Sequence, residues 1–399
     1  LLGWAAEAAR LQVLANADTP HDAERAVRFG AEGIGLCRTE RMFNAVERLP
    51  IVVEMFVAET PADRQRALDK LLPIQREDFA GIFRAMAPRP VTIRLLDPPM
   101  HEFLPGERQL VEELERLRHL RETVNGLQVL HDSVDFLYRA REVHPQVALP
   151  AEPALVDEVI AKKEAMLKKV RALFEVNPML GHRGVRLGLT SPEIYRMQIR
   201  AILEATAECR RAGLEVHPEI MVPQVCTAQE LKTVKGWVDE IRAEVERDCG
   251  FTLDVKFGSM LEVVRACLRA DALAEDAEFF SFGTNDLTQA TFSFSREDAE
   301  NKFLPAYTQG RILQHNPFEV LDVKGVGQLM ELAVAGGRKT RPGMKIGICG
   351  EHGGHPASIA FCHAAGLSYV SCSGPRVPIA RLAAAHAALN EAPGQSASL

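Results

Sequence analysis

One pattern constrains this chain more than any other: short apolar runs alternate with longer segments of helical periodicity. The runs are Leu11–Asn16, Gly33–Leu36, Val91–Leu96, Ile220–Val225, Lys256–Val263, Phe279–Phe282 and Lys345–Cys349. Parallel strands cannot be joined by a hairpin and need a crossover, usually a helix. Repeated strand–helix units therefore predict a parallel sheet covered on both faces. Helices are predicted over Ala228–Val245, Arg265–Ala274, Gly325–Gly336 and Thr19–Gly30, the last with Thr19 as N-cap, Pro20 in the first turn and Gly30 as terminator. A chain of 399 residues has room for about eight such units. The expected fold is α/β, a (β/α)8 TIM barrel over residues 1–390. Glu107–Leu173, rich in Glu, Arg, Leu and Ala, breaks the rhythm and is read as a helical insertion with a solvated charged face. The small, polar stretch 391–399 is read as a disordered tail.

Composition excludes several classes. The formal net charge is -7 and there is no long basic stretch, which argues against nucleic acid and anionic membranes as partners. The eight cysteines are scattered with no C-x-x-C pair, so a reducing, cytoplasmic setting is expected rather than a disulfide framework or a structural zinc site. A plastid or a peroxisome-like organelle stays open. The final Ala397-Ser398-Leu399 lacks the basic middle residue of a Ser-Lys-Leu address. No apolar run reaches the length of about 18 residues that suggests a membrane span. The opening at Leu1 is read as a cut inside a longer protein.

Polar residues close one apolar run after another. Arg38-Thr39-Glu40 follows Cys37, Arg94 lies in the third run and Asp97 ends it, and Glu262 follows Leu261. Asn285-Asp286 follows Thr284, and Cys349-Gly350-Glu351-His352 follows Ile348. Barrel active sites sit at the C-terminal ends of the strands. Arg38 and Arg94 suit bidentate contact with a carboxylate or phosphate. Glu262 and Asp286 are hard oxygen ligands of the kind Mg²⁺ takes, one or two at a time. Two carboxylates also suit an acid/base pair, but the arginines favour an anion bridged by metal. A buried cysteine is ordinarily inert packing, and Cys349 stands out only through its neighbours.

Several segments carry a resemblance. They are Ala15-Asn-Ala-Asp-Thr-Pro20, Gly35-Leu-Cys-Arg-Thr-Glu40, Thr92-Ile-Arg-Leu-Leu-Asp-Pro-Pro99, His101-Glu-Phe-Leu-Pro105, Asn177-Pro-Met-Leu-Gly-His-Arg-Gly184, Gly283-Thr-Asn-Asp-Leu-Thr-Gln289, Ile348-Cys-Gly-Glu-His-Gly-Gly354 and Tyr369-Val-Ser-Cys-Ser373 with Arg376–Arg381. From about Gly3 to Asn390 the chain resembles the PEP/pyruvate-binding domain of the PEP-utilising enzymes, on the pyruvate, phosphate dikinase branch. PEP synthase and the sugar-phosphotransferase enzyme I share the shorter pieces and are the alternatives, with a non-catalytic PEP-binding or dimerisation module as a third.

The resemblance implies roles. Arg38, Arg94 and Arg183 would hold phosphate and carboxylate, with Arg296 a further candidate. Glu262 and Asp286 would ligate Mg²⁺, and Gly283, Thr284 and Asn285 would face the substrate. Cys349 would move the proton at the methylene carbon of phosphoenolpyruvate, its thiol pKa being near enough to neutral to tune. Glu351 and His352 would support it. The whole family reaction converts ATP, pyruvate and phosphate to AMP, phosphoenolpyruvate and diphosphate. The phosphohistidine swivel domain and the ATP-binding domain are not recognisable here, so only the pyruvate/PEP half is expected, and a homodimer is implied. The chain departs from the family at His355, where an acidic residue is usual, at Val264, where proline is common, and at Ser373-Gly-Pro-Arg376, which replaces a Pro-Phe-Arg wording.

Overall fold

The structure, a computed structural model, describes residues 2–139 and 153–390. Eight parallel strands run β1 Gln12–Asn16, β2 Ile34–Arg38, β3 Pro90–Arg94, β4 His217–Val222, β5 Lys256–Leu261, β6 Phe279–Phe282, β7 Lys345–Ile348 and β8 Tyr369–Ser373. Each pairs with its successor, and β8 closes on β1 from Gln12 beside Tyr369 to Asn16 beside Ser373. The chain therefore forms the closed (β/α)8 barrel that the strand–helix rhythm predicted. β4 and β6 are almost wholly buried, as expected for parallel strands covered by the barrel interior on one face and helices on the other. β8 has no counterpart among the predicted strands. Ser371 and Ser373 break its apolar run, and Ser371 spends its hydroxyl inside the barrel, donating to Asn16 Oδ1 at 2.6 Å.

Helix boundaries follow local chemistry. The helix Pro20–Arg28 starts at Thr19, whose Oγ1 accepts from the Asp22 N–H at 3.1 Å. Ala228–Cys249 opens with a reciprocal capping box between Thr227 and Glu230 and outruns its predicted end. The segment predicted as one helix over Arg265–Ala274 is two short ones, Val264–Leu268 and Ala270–Leu273, meeting at Arg269. Between β3 and β4 stand two long helices, Glu107–Arg139 and Pro153–Ala172. Leu114, Val156 and Ile160 form a small separate core there, flanked by ion pairs such as Arg118–Glu164 at 2.7 Å and Arg171–Glu107 at 2.8 Å. The tail read as disordered, 391–399, lies outside the described residues. Among those described, no helix is long and apolar enough to cross a membrane.

The barrel interior pairs small residues with large ones across neighbouring strands. Gly258 sits opposite Phe279, and Gly347 opposite Tyr369. A Cβ on Gly347 would lie 2.4 Å from the Tyr369 ring. Tyr369 is fully buried and has no room to withdraw. Gly347→Ala is therefore expected to destabilise the protein by about 1–3 kcal/mol, as overpacked cores do. A urea titration should show the lower midpoint at an unchanged slope.

Candidate active site

The C-terminal ends of the strands surround a cleft of about 550 Å³. Its wall takes Asn16 from β1, Leu36 and Arg38 from β2, Arg94 from β3, and Met260 and Glu262 from the end of β5. It takes Gly283 and, from the first turn of the helix Thr284–Phe292, Asn285 and Asp286 after β6, and Cys349 and Gly350 from the turn after β7. Arg183 enters from the segment that follows the two long helices. Residues more than 300 positions apart thus meet because each strand delivers its last residues to one rim: Asn16 Nδ2 donates to the Cys349 carbonyl at 3.1 Å.

Each arginine is fixed by acids. Arg38 donates from Nε and Nη2 to the two Asp18 oxygens at 3.2 and 2.7 Å. Arg94 lies between Glu40 and Asp97, with Asp97 Oδ2 at 2.9 Å from Nη1, and its buried Nε has no partner among the described residues. Arg183 grips Asp97 with Nη2 at 2.6 Å and Nε at 3.2 Å, and its Nη1 lies 3.3 Å from Asp286. Burial works against the charge on Asp97, yet Arg94 and Arg183 outweigh it and hold its carboxyl below the usual range. Pre-fixed guanidiniums of this kind bind an anion without first losing rotamer freedom.

Asp97, Glu262 and Asp286 bring ligand-competent oxygens within 4.8 Å of one another. Burial, then Asp97 and Asp286, push the Glu262 carboxyl up to about 8, and burial raises Asp286 as well. Asp97 is committed to two arginines, and Glu262 and Asp286 are the carboxylates of this group that could hold a hard divalent cation. Such a cation would relieve their mutual repulsion and displace the proton from Glu262. Cation affinity is therefore expected to fall by about tenfold per pH unit below the Glu262 value and to level off above it. Calorimetric titration of Mg²⁺ between pH 6 and 9, in buffers of different ionisation heat, should show both the slope and the released proton.

Cys349 is buried, its thiol pointing at the Phe282 carbonyl 3.6 Å away. Burial pushes this thiol up to about 11, against the pull of Ser281 and Arg94. In the cleft as it stands the surroundings tune this thiol upward, since desolvation outweighs the nearby cations.

Arg38, Arg94, Arg183, Glu262, Gly283, Asn285, Asp286 and Cys349 share the cleft wall; Thr284 and Arg296 do not. Thr284 is wholly buried, its hydroxyl 2.7 Å from His352 Nδ1. The Pro317 carbonyl, 2.8 Å from His352 Nε2, requires a proton on Nε2, so Nδ1 accepts from Thr284. With both nitrogens engaged and its pKa lowered by burial, His352 is neutral and structural. Arg296 forks onto Glu351 at 3.0 and 2.8 Å, and only Glu351 reaches the cleft. His355 stands at the N-cap position of the helix Pro356–Ala364, off the cleft wall.

Sequence reasoning assigned no role to Asn16, Asp18 or Gln224. Asp18 sits inside the quoted Ala15–Pro20 segment, which was a usable signal. Gln224 offered none. It is buried, lies at a φ of 58°, and bonds both Glu262 and Asp286.

The chain matches the family model described as "PEP-utilising enzyme, PEP-binding domain" over residues 1–389. It is 51% identical to the pyruvate, phosphate dikinase of Entamoeba histolytica over 388 residues, 97% of this chain and 40% of that protein. Identity to the chloroplastic pyruvate, phosphate dikinase 1 of Oryza sativa subsp. japonica is 51%, covering 97% of this chain and 37% of the relative. Against the Clostridium symbiosum pyruvate, phosphate dikinase it is 47%, covering 98% and 40%. The chain spans about two fifths of the length of these relatives.

Proposed function

Since this chain belongs to the PEP-utilising enzyme family, matching its PEP-binding domain, we propose that it carries the pyruvate/phosphoenolpyruvate half-reaction of a pyruvate, phosphate dikinase. In that reading a phosphohistidine on another domain gives its phosphoryl group to the enol oxygen of pyruvate, and an ATP-binding domain recharges the histidine. The observation that carries the proposal is the meeting of Arg38, Arg94, Arg183, Glu262, Asp286 and Cys349 on one cleft at the barrel mouth.

The residues divide the work by charge. Arg38, Arg94 and Arg183 bind the substrate carboxylate and balance the transferring phosphoryl group, whose charge is spread over its oxygens. Arg94 Nε, without a partner among the described residues, is a donor still available to the substrate. Glu262 and Asp286 would hold Mg²⁺, which supplies stabilisation of the developing enol oxyanion. Cys349, protonated at neutral pH, delivers a proton to the methylene carbon when phosphoenolpyruvate becomes pyruvate. In the opposite direction its sulfur takes a methyl proton, and Arg94 and Arg38 favour the thiolate that step needs. Asn16, bonded to the Cys349 carbonyl, fixes the turn that carries the sulfur.

All eight cysteines are free thiols, which supports a reducing compartment, cytoplasmic or organellar. A homodimer completes the proposal.

Phosphoryl transfer tests it. The chain is mixed with Mg²⁺, pyruvate and a separately prepared histidine-phosphorylated domain, and ³¹P spectra are followed. Growth of the phosphoenolpyruvate resonance is the expected result. Binding of phosphoenolpyruvate with no transfer would leave only a binding module.

A further inference from the structure

We infer that Gln224 is the positioning residue that sets both cation-ligating carboxylates, an inference that rests on reading Glu262 and Asp286 as those ligands. Its main-chain N–H donates to Glu262 Oε1 at 2.8 Å. Its side-chain Nε2 donates to Asp286 Oδ2 at 2.8 Å. Glu262 and Asp286 come from the ends of two different strands, and this one residue bonds both.

The backbone makes the double contact possible. Gln224 lies in the left-handed region at a φ of 58°, which a side-chain-bearing residue seldom adopts without a surrounding reason. That turn aims the N–H at Glu262. Gly184 opposite has to lack a side chain, because a Cβ there would lie 2.6 Å from the Gln224 Cβ.

The direction of approach separates positioning from blocking. Glu262 and Asp286 line two cavities, the substrate cleft and a second, more apolar cleft of about 450 Å³ walled by Val264, Ala290 and Phe294. Gln224 and Gln289 line only the second. Both amides therefore reach Asp286 from behind, Gln289 Nε2 donating to Oδ1 at 3.1 Å. With Gln224 and Arg183 both on Oδ2, that oxygen's two lone pairs are engaged, whereas Oδ1 keeps one. On Glu262 the N–H holds Oε1, and Oε2 lies against Gly283 in the substrate cleft, where a Cβ would come within 2.5 Å of it. Gln224 thus turns one oxygen of each carboxylate away and presents the other, which is how outer partners orient metal ligands.

The test uses Mn²⁺ as the probe, since it shares the octahedral oxygen preference of Mg²⁺. Free Mn²⁺ is measured by electron paramagnetic resonance on the full chain with pyruvate present. Gln224→Gly keeps the main-chain bond, removes the amide and suits the positive φ. Gln224→Met removes the amide but keeps the bulk. Both should bind Mn²⁺ about 10–100-fold more weakly while melting at or above the wild-type temperature. Wild-type affinity in either folded variant would overturn the inference, as would weaker binding that merely tracks a lower melting temperature. A chain that binds no Mn²⁺ even when wild type would instead bring down the cation-site reading itself. Glu262→Gln, which should abolish binding, marks that difference.

Discussion

Cys349→Ala is expected to slow both phosphoenolpyruvate formation and pyruvate methyl exchange by about 10²–10⁴-fold, the range of a lost general acid/base. Binding should survive, because the hydrogen bond described for the Cys349 thiol goes to a main-chain carbonyl and not to Arg38, Arg94, Arg183, Glu262 or Asp286. Its Sγ points at the Phe282 carbonyl, while the arginines proposed to bind the anion are fixed by Asp18, Glu40 and Asp97. The change should therefore appear in kcat with KM nearly constant, the pattern of an interaction made only in the transition state. Serine at 349 is a sharper variant. It keeps the shape and an O–H but raises the pKa far beyond the thiol, so it should behave like alanine in kinetics. Recovery of activity by serine would assign the sulfur a packing role.

Arg94→Met is expected to have the largest effect on stability. Arg94 sits in the barrel mouth with Glu40 on one side and Asp97 on the other, and all three are largely buried. Burial opposes its charge, but Asp97 and Glu40 hold it firmly protonated. Removing it leaves the largely buried Glu40 without its partner and Asp97 with Arg183 alone, and breaking a buried pair in this way costs about 3–5 kcal/mol. Urea unfolding at pH 7 measures that loss. The pH dependence follows from the partners. Asp97 has a depressed pKa in the folded protein, so its stabilising contribution is present above the unfolded value and is lost as pH falls through the folded one. The gap between wild type and Arg94→Met should therefore narrow in acid. Glu40→Gln added to Arg94→Met should recover part of the loss, because it removes one stranded charge. Phosphoenolpyruvate affinity should not recover with it.

How far the sequence revealed all this differs from element to element. Strands β1 to β7 were readable because a parallel barrel strand is buried on both faces and so writes a continuous apolar run. β8 carries Ser371, which hydrogen-bonds inside the barrel, and ends on the exposed Ser373; a polar residue satisfied by a distant partner looks like a loop residue in one dimension. The cleft wall was readable where a charged residue ends a strand or follows it closely, as at Arg38, Arg94, Glu262 and Asp286. Arg183 was reached only through resemblance, since its partner Asp97 is 86 residues earlier. Arg296 carried a motif, yet its guanidinium is spent on Glu351 and Glu300, over the Phe318 ring. Gln224 was invisible because its role depends on a backbone dihedral and on two acids brought in by other strands. The direction in which Cys349 is tuned was unreadable for a related reason: sequence does not show how far a side chain is desolvated.

A barrel that binds pyruvate and moves a methyl proton with Cys349 should exchange that methyl group with solvent. Proton NMR of pyruvate in D₂O, with the chain, Mg²⁺ and a histidine-phosphorylated domain or its mimic, measures that step alone. The methyl signal should decay with the wild-type chain and persist with Cys349→Ala. A wild-type chain that leaves the signal intact, or an alanine variant that exchanges at the wild-type rate, would contradict the assignment.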